Sequence, residues 1–390
     1  MSGDIHDCVI VGGGAVGAAA AIGLARAGRR VALVERNARP VFSPETPVTR
    51  VTTLNAASMN LLEDLGARPG IMSRRAHAFH GMEVWDAHSA ARIRFDADDL
   101  GVPALGWTVE LLALETSLWE ALEEAGADLF PGTGWRAVDW RSDRVDLHLD
   151  GGGRLSGSLL LAADGGESRL RQQAGIGVRR NPYRMSGVVA TVRTRFPHED
   201  TAWQRFNDDE IVAFLPLADG RSSIVWSMPD YAAGEVLALD DAEFSERLDQ
   251  SFGGRLGGIT AVEPRFVFPL VGRQANDYVH GRLVLLGDAA HTIHPLAGQG
   301  LNLGFGDVRA LLDVLPEGAG SDPADSRSLR AYTRARRVEN EIMLRSMEGL
   351  RWLFGSRGTV AMRARATGVQ QVDRTPWIKR FLALRALGLN

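Results

Sequence analysis

Apolar residues gather along this chain in two contrasting patterns, and each predicts a different kind of sheet. Unbroken runs occur at Cys8 to Val11, Val31 to Val34, Leu159 to Ala163 and Leu283 to Leu286. Strands without polar alternation are those covered on both faces, as in a parallel sheet flanked by helices. The first two runs are joined by Gly12-Gly13-Gly14-Ala15-Val16-Gly17 and an alanine-rich stretch ending at Ala27-Gly28. That is a strand–helix–strand unit, which sets its strands parallel in a doubly wound sheet, and the later two runs are expected in the same sheet. In the intervening segments the pattern alternates. Gly81 to Ala97 reads as two short strands about a turn at His88-Ser89, Ile211 to Trp226 as a hairpin turning at Asp219-Gly220, and Val188 to Val192 as a further strand. Together they predict a second, antiparallel sheet. From about Ser326, Leu329, Tyr332, Val338, Ile342 and Leu350 return at roughly helical spacing. The expected fold is α/β. Segments 1–75, 107–180 and 280–325 form a Rossmann-like nucleotide-binding domain, 76–106 and 181–279 an inserted antiparallel-sheet substrate domain, and 326–390 a helical C-terminal region.

Composition narrows the function classes. A chain of 390 residues, 45% of them hydrophobic, can bury a large core shared by two connected domains. The formal net charge of −4 gives no basic field to attract nucleic acid. Cys8 is the only cysteine, which excludes an internal disulfide, an iron–sulfur cluster and a cysteine-based zinc site, and fits a reduced cytoplasmic setting. Lys379 is the only lysine and stands near the end of the chain, which argues against Schiff-base chemistry and a Walker-type phosphate loop. The N-terminus carries Asp4 and Asp7 and does not read as a secretory signal. No apolar stretch reaches the ~18 residues a membrane span needs.

Three loops carry the candidate chemistry. In the first, Gly12 permits the tight turn, Gly14 lets backbone approach a pyrophosphate, and Gly17 lets helix and strand pack closely. The helix beginning at Ala15 and Val16 offers unpaired N–H groups and its positive dipole end to the phosphates. Glu35, followed by Arg36, closes the second strand where an acid accepts hydrogen bonds from adenosine ribose hydroxyls. These features point to a dinucleotide without choosing between FAD and NAD. The second loop, Ala163 to Arg171, leaves the third strand through Asp164-Gly165, and Ser168 can equally be read as the cap of a short helix. The third runs from Gly287-Asp288 through His291, His294 and Pro295 to Gly298-Gln299-Gly300-Leu301-Asn302. A carboxylate at a strand end followed by a glycine-rich turn into a helix suits a ligand lying against backbone atoms.

In their combination and order these motifs resemble the group A flavoprotein monooxygenases of the para-hydroxybenzoate hydroxylase type, and among them the ubiquinone-biosynthesis hydroxylases. The resemblance implies FAD held by Gly12, Gly14, Ala15, Val16, Gly17, Glu35 and Arg36, with Arg50 near the flavin. It implies that Asp164 and Gly165 serve FAD and the nicotinamide donor together, and that Gly287 and Asp288 hold the ribityl chain or pyrophosphate. Pro295 would lie beside the reactive flavin edge. The helix starting near Gly298, Gln299, Gly300, Leu301 and Asn302 would aim its amides at the flavin N1 and C2 carbonyl, where reduced flavin is anionic. One departure stands out. Relatives carry Glu-Asn with a glutamine five residues after the Glu; here Leu111 follows Glu110, and Glu115 stands in the glutamine's place.

The implied reaction consumes NAD(P)H and O2 and hydroxylates an aromatic ring through a C4a-hydroperoxyflavin. Only one dinucleotide fingerprint is present, so the donor is expected to bind transiently. Phe214, Leu215, Leu217, Val225 and Trp226 are candidates to line an apolar, water-free pocket, and read equally well as core. His291 and His294 lack a third ligand, so no metal is expected. His294 is a candidate general base, with a hydrogen-bonded loop histidine as the alternative. The leading substrate class is a polyprenylated phenol or quinone precursor of ubiquinone. A soluble aromatic or polyketide substrate, or a flavin-binding assembly protein without turnover, are the other readings. From Arg345 onward the chain carries nine Arg or Lys against two acids, together with Trp352, Leu353, Phe354, Trp377, Ile378, Phe381, Leu382, Leu384 and Leu387. This tail reads as a helix lying peripherally on the inner face of a membrane, as a dock for partner enzymes, or as an apolar face packed on the first domain.

Overall fold

The computed structural model describes residues 5–45, 50–293, 299–316, 321–355, 367–368 and 370–389. The four apolar runs do enter one sheet. Its order is Val279–His280, Leu283–Leu285, Arg154–Ala162, His6–Val11, Val31–Glu35 and Asp128–Pro131, extended by Val145–Leu149 and Trp135–Trp140. His6–Val11 pairs in parallel with both Arg154–Ala162 and Val31–Glu35. Leu159, Leu160 and Leu161 are wholly buried, as an unbroken apolar run requires. The strand ends that carry the three loops therefore sit side by side.

The second sheet has nine strands, running His291–Thr292, Phe266–Ala275, Val178–Thr194, Ser222–Pro229, Ile211–Pro216, Thr201–Phe206, Gly81–Asp86 and Arg92–Asp96, with Ile259–Val262 also paired to Val178–Thr194. All its pairs are antiparallel except Thr201–Phe206 with Gly81–Asp86, where sequence-distant segments meet in parallel. A third, small sheet of Val51–Leu54, Gly106–Glu110 and His77–Phe79 lies outside the sequence expectation. The His291–Thr292 strand carries the third loop directly from the first sheet into the second, which fixes that loop at the junction.

Alternation decides which face of the second sheet each side chain takes. Val188, Val212, Phe214 and Trp226 point toward the helix Asp241–Phe252, packing on Phe244, Leu248 and Phe252. That helix is held at its start by a capping box between Asp240 and Glu243 and ends at Gly253 in the left-handed region. Leu215 and Val225, one residue out of step, point the other way, into a cluster with Phe79, Leu100, Leu105 and Phe95. Two of the five pocket candidates are thereby corrected. Phe214 and Trp226 are fully buried under the helix layer and line no cleft on the opposite face.

The C-terminal region is helical, as Ser326–Gly355 and Pro376–Ala386. Phe354, expected among exposed apolar residues, is instead buried and stacks on Phe206 with ring centroids 4.1 Å apart. The last helix buries Ala383 and Leu387 beside Leu215, while the Asn55 amide donates to the Ala386 carbonyl at 3.3 Å and the Ala57 N–H to that of Leu387 at 3.2 Å. It therefore packs between the segment Asn55 to Ala57 and the Leu215 cluster of the second sheet, leaving Trp377, Phe381 and Leu382 exposed. Among the described residues no helix is long and apolar enough to cross a membrane.

Candidate active site at the junction of three loops

The glycine loop is shaped by contacts that leave no room for side chains. Gly12 has a φ of +107°, and a Cβ there would sit 2.2 Å from the Ala163 carbonyl oxygen, so the first and second loops touch backbone to backbone. At Gly17 a Cβ would meet the Gly12 carbonyl oxygen at 1.9 Å. Glu35 is locked in place: one carboxylate oxygen accepts from the Gly13 N–H at 2.6 Å and the other from the Asn37 N–H at 2.8 Å. Beneath the loop, the Trp119 indole donates to the Gly13 carbonyl at 2.7 Å. The helix Ala15–Arg26 starts at Gly14 with no side chain capping it. Its first amides are free for an anion.

Val16 brings in the third loop. A Cβ on Gly304 would lie 2.6 Å from Val16 Cγ2, and one on Gly287 3.2 Å from the same methyl, so small residues let the third loop and the helix Gln299–Val314 close on the first. Asp288 projects from the single turn Gly287–Ala289. The residue is exposed yet its carboxyl is ringed by protein, and this crowding raises its pKa against the opposing pull of His291, Arg273 and Arg50. In the second loop, Asp164 accepts from the Arg169 and Leu170 N–H groups at 2.9 and 3.3 Å, and Ser168 caps the same short helix by accepting from the Arg171 N–H. Ser168 is thus a helix cap, and the other Asp164 oxygen is buried with no hydrogen-bond partner among the described residues. Arg171 fastens the second loop to the third, donating to the Ala289 carbonyl at 2.8 Å and the Gly166 carbonyl at 2.9 Å.

Other expected residues are placed differently. Arg50 is exposed and lies within electrostatic reach of both Glu115 and Asp288. Arg36 is exposed beside Glu35. Gly300 faces open space, whereas Leu301 packs on the core. The Asn302 side chain is bonded to the segment Thr53 to Ser58. Its amide nitrogen donates to the Thr53 carbonyl at 2.9 Å and its oxygen accepts from the Asn55 N–H at 3.0 Å and Ser58 Oγ at 2.7 Å, which positions the helix start. His294, Pro295 and Gly298 lie outside the described residues, as does the side chain of Gln299.

Sequence reasoning missed the group that supports the third loop. Asp307 is completely buried; it accepts from the Gly287 N–H at 2.9 Å, pairs with His291 Nε2 at 2.6 Å and accepts from Arg336 Nε at 2.7 Å. This gives His291 a structural partner. A second histidine cluster, His77, His198 and Asp200, gathers three potential metal ligands. His198 is not free to act as one, since its Nε2 bonds the Leu217 carbonyl and its Nδ1 accepts from the Asp200 N–H.

Unfilled helix amides, a buried unpaired carboxylate oxygen and a locked ribose-facing acid, joined on three loops, fit a dinucleotide cofactor. The class defined is a dinucleotide-binding protein. The FAD binding domain family matches residues 6–346. Over 100% of both chains, the sequence is 36% identical to 3-demethoxyubiquinol 3-hydroxylase of Escherichia coli (strain K12). It is 31% identical to the mitochondrial ubiquinone biosynthesis monooxygenase COQ6 of Mus musculus, over 96% of this chain and 89% of that one. Among solved structures, Pseudomonas aeruginosa PqsL in complex with 2-aminobenzoylacetate superposes with a TM-score of 0.79 at 24% identity, over 94% of this chain and all of that one. The p-nitrophenol 4-monooxygenase PnpA of Pseudomonas putida DLL-E4 also gives 0.79, at 19% identity and 98% coverage of each chain. The chain belongs to the family of FAD-dependent aromatic monooxygenases, among its ubiquinone-biosynthesis hydroxylases. NAD(P)H and O2 are the co-substrates of this class.

Proposed function

We propose that this enzyme hydroxylates the ring of a polyprenylated phenol or quinone precursor. The observation that carries the reading is the 36% identity, end to end, with an enzyme named for hydroxylating demethoxyubiquinol. Bound FAD supplies the hydride acceptance and the oxygen activation, and the protein supplies position and dryness. Gly12, Gly14 and Gly17 bring backbone amides to the pyrophosphate, Glu35 orders the ribose, and Asp164 and Asp288 face the cofactor from the second and third loops. Pro295 and His294 lie outside the described residues; by the resemblance Pro295 would serve the flavin edge, with His294 the candidate general base. On the substrate side, Leu215 and Val225 share their face of the second sheet with Phe266 and Phe268, both of them accessible. That apolar face suits a prenyl chain. A strain deleted for this gene is expected to accumulate a quinone precursor lacking one ring hydroxyl, as read by mass spectrometry. An unchanged quinone profile would remove the reading.

The same proposal extends to the tail, where the lipophilic substrate and the exposed Trp377, Phe381 and Leu382 point to an anionic membrane surface. Arg374, Arg380 and Arg385 flank them, and each basic side chain near such a surface contributes about 1 kcal/mol. Full-length protein is expected to float with anionic liposomes while a version truncated before Thr375 does not. Equal partitioning of the two would reject membrane contact and leave packing against Asn55 to Ala57 and the Leu215 cluster as the helix's role.

A further inference from the structure

Glu115 lies on the helix Leu111–Glu124, half-buried, with its Oε1 only 3.7 Å from where a Cβ on Gly14 would stand. It therefore leans over the free N-terminus of the helix that receives the pyrophosphate. No described residue donates a hydrogen bond to it. The charged groups facing it are Glu35 from the strand Val31–Glu35 and Arg50 from the segment before Val51–Leu54, and Arg50 is shared with Asp288. A glutamine amide at this place would donate an N–H to an oxygen-rich ligand. A carboxylate cannot donate, and it would add negative charge beside a pyrophosphate and beside Glu35. The neutral carboxylic acid resolves both conflicts, since it carries an O–H donor and no charge.

Resting on the FAD reading above, we infer that Glu115 binds the cofactor as a protonated acid, so that FAD association takes up a proton. The O–H donates to a phosphate or ribityl oxygen, and no bond other than this hydrogen bond is made. The protein already leans this way: burial pushes the Glu115 carboxyl above its ordinary value, and nearby Glu35 pushes in the same direction, while Arg50 opposes both. Because the anionic ligand favours the protonated form further, its affinity must fall as pH rises between the carboxyl's pKa in the free protein and its higher value in the complex. The limit is about tenfold per pH unit for one coupled proton.

The test is a titration of the flavin-free full-length chain with FAD, followed by flavin fluorescence from pH 5.5 to 8.5. Proton uptake is measured in parallel by calorimetry in two buffers of different ionisation enthalpy. The native protein is expected to weaken at least tenfold across the range and to take up protons. Glu115→Gln, nearly isosteric, is expected to give a flat profile with no uptake and tighter binding than native at pH 8.5. If the native and Glu115→Gln proteins show the same slope, the inference is overturned. If the slope disappears in Asp288→Asn and persists in Glu115→Gln, Asp288 carries the proton and the inference is equally overturned. Failure of the native protein to bind FAD at any pH would instead strike the cofactor reading on which it rests, and loss of binding in folded Glu115→Gln alone would overturn the inference. A melting curve of each flavin-free variant separates loss of the fold from loss of the contact.

Discussion

Asp307→Ala is expected to lower the melting temperature of the flavin-free protein by several degrees and to cost FAD affinity at the same time. The carboxylate is fully buried and accepts from the Gly287 N–H, His291 and Arg336 together, with Asn340 contributing at 3.4 Å. Removing it takes away the buried anionic partner of Arg336, itself only 4% exposed, leaving that guanidinium to Glu339, Asn340 and the Leu303 carbonyl and leaving His291 without its acceptor, a loss of up to about 3–5 kcal/mol. It also frees Gly287, whose position sets Asp288 and the contact with Val16. Burial would raise the Asp307 pKa, but His291 and Arg336 outweigh it and hold the carboxyl below its ordinary value. A depressed folded-state pKa contributes stability above the unfolded value and loses it as pH falls through the folded one. The stability difference between native and Asp307→Ala protein should therefore shrink only on the acid side. Thermal melts of both proteins across pH measure this; a mutant as stable as the parent at neutral pH would deny the network its role.

Gly17→Ala is expected to yield protein that folds and loses its flavin. The added Cβ would lie 1.9 Å from the Gly12 carbonyl oxygen and 3.1 Å from the Ala163 Cβ, contacts that only a shift of the helix away from the strand relieves. That shift withdraws the amides from the pyrophosphate, and a hundredfold weaker affinity corresponds to about 2.7 kcal/mol. Gly234→Ala is the matched control. It lies in the helix Asp230–Ala238, an added Cβ meets nothing within 4 Å, and it is expected to be neutral or stabilising by about 0.5–1 kcal/mol. Flavin content per chain after purification distinguishes the two. Retention of stoichiometric FAD by Gly17→Ala would contradict the close-approach account.

The parts of this fold that could be read from sequence are those where one local pattern permits one answer. Leu159 to Ala163 had to be a strand covered on both faces, and the spacing of Gly12, Gly14 and Gly17 allowed little except a phosphate turn. Alternation in Ile211 to Trp226 located the hairpin. It does not say which face meets helices, so Phe214 and Trp226 read in the sequence like Leu215 and Val225 although the pleat separates them. Phe354 had no local reason to be buried; Phe206, some 150 positions away, supplies one. Asp307 reads as an ordinary polar position in an amphipathic helix until Arg336 and His291 close around it. Asn302 sits in a motif that suggests cofactor contact, and only the tertiary structure reveals that its side chain bonds Thr53, Asn55 and Ser58. Glu115 was visible as a departure from the glutamine of its relatives, with its meaning hidden until Gly14, Glu35 and Arg50 were placed around it.

Loops that hold FAD for oxygen transfer to a ring should act on a polyprenylated hydroquinone when FAD-loaded protein is incubated with it, NAD(P)H and oxygen-18 gas, and the lipid is read by mass spectrometry. The expected result is substrate-stimulated NAD(P)H oxidation and a ring product gaining one hydroxyl that carries the heavy isotope. NAD(P)H oxidation indifferent to the hydroquinone, with no labelled ring product, would contradict it.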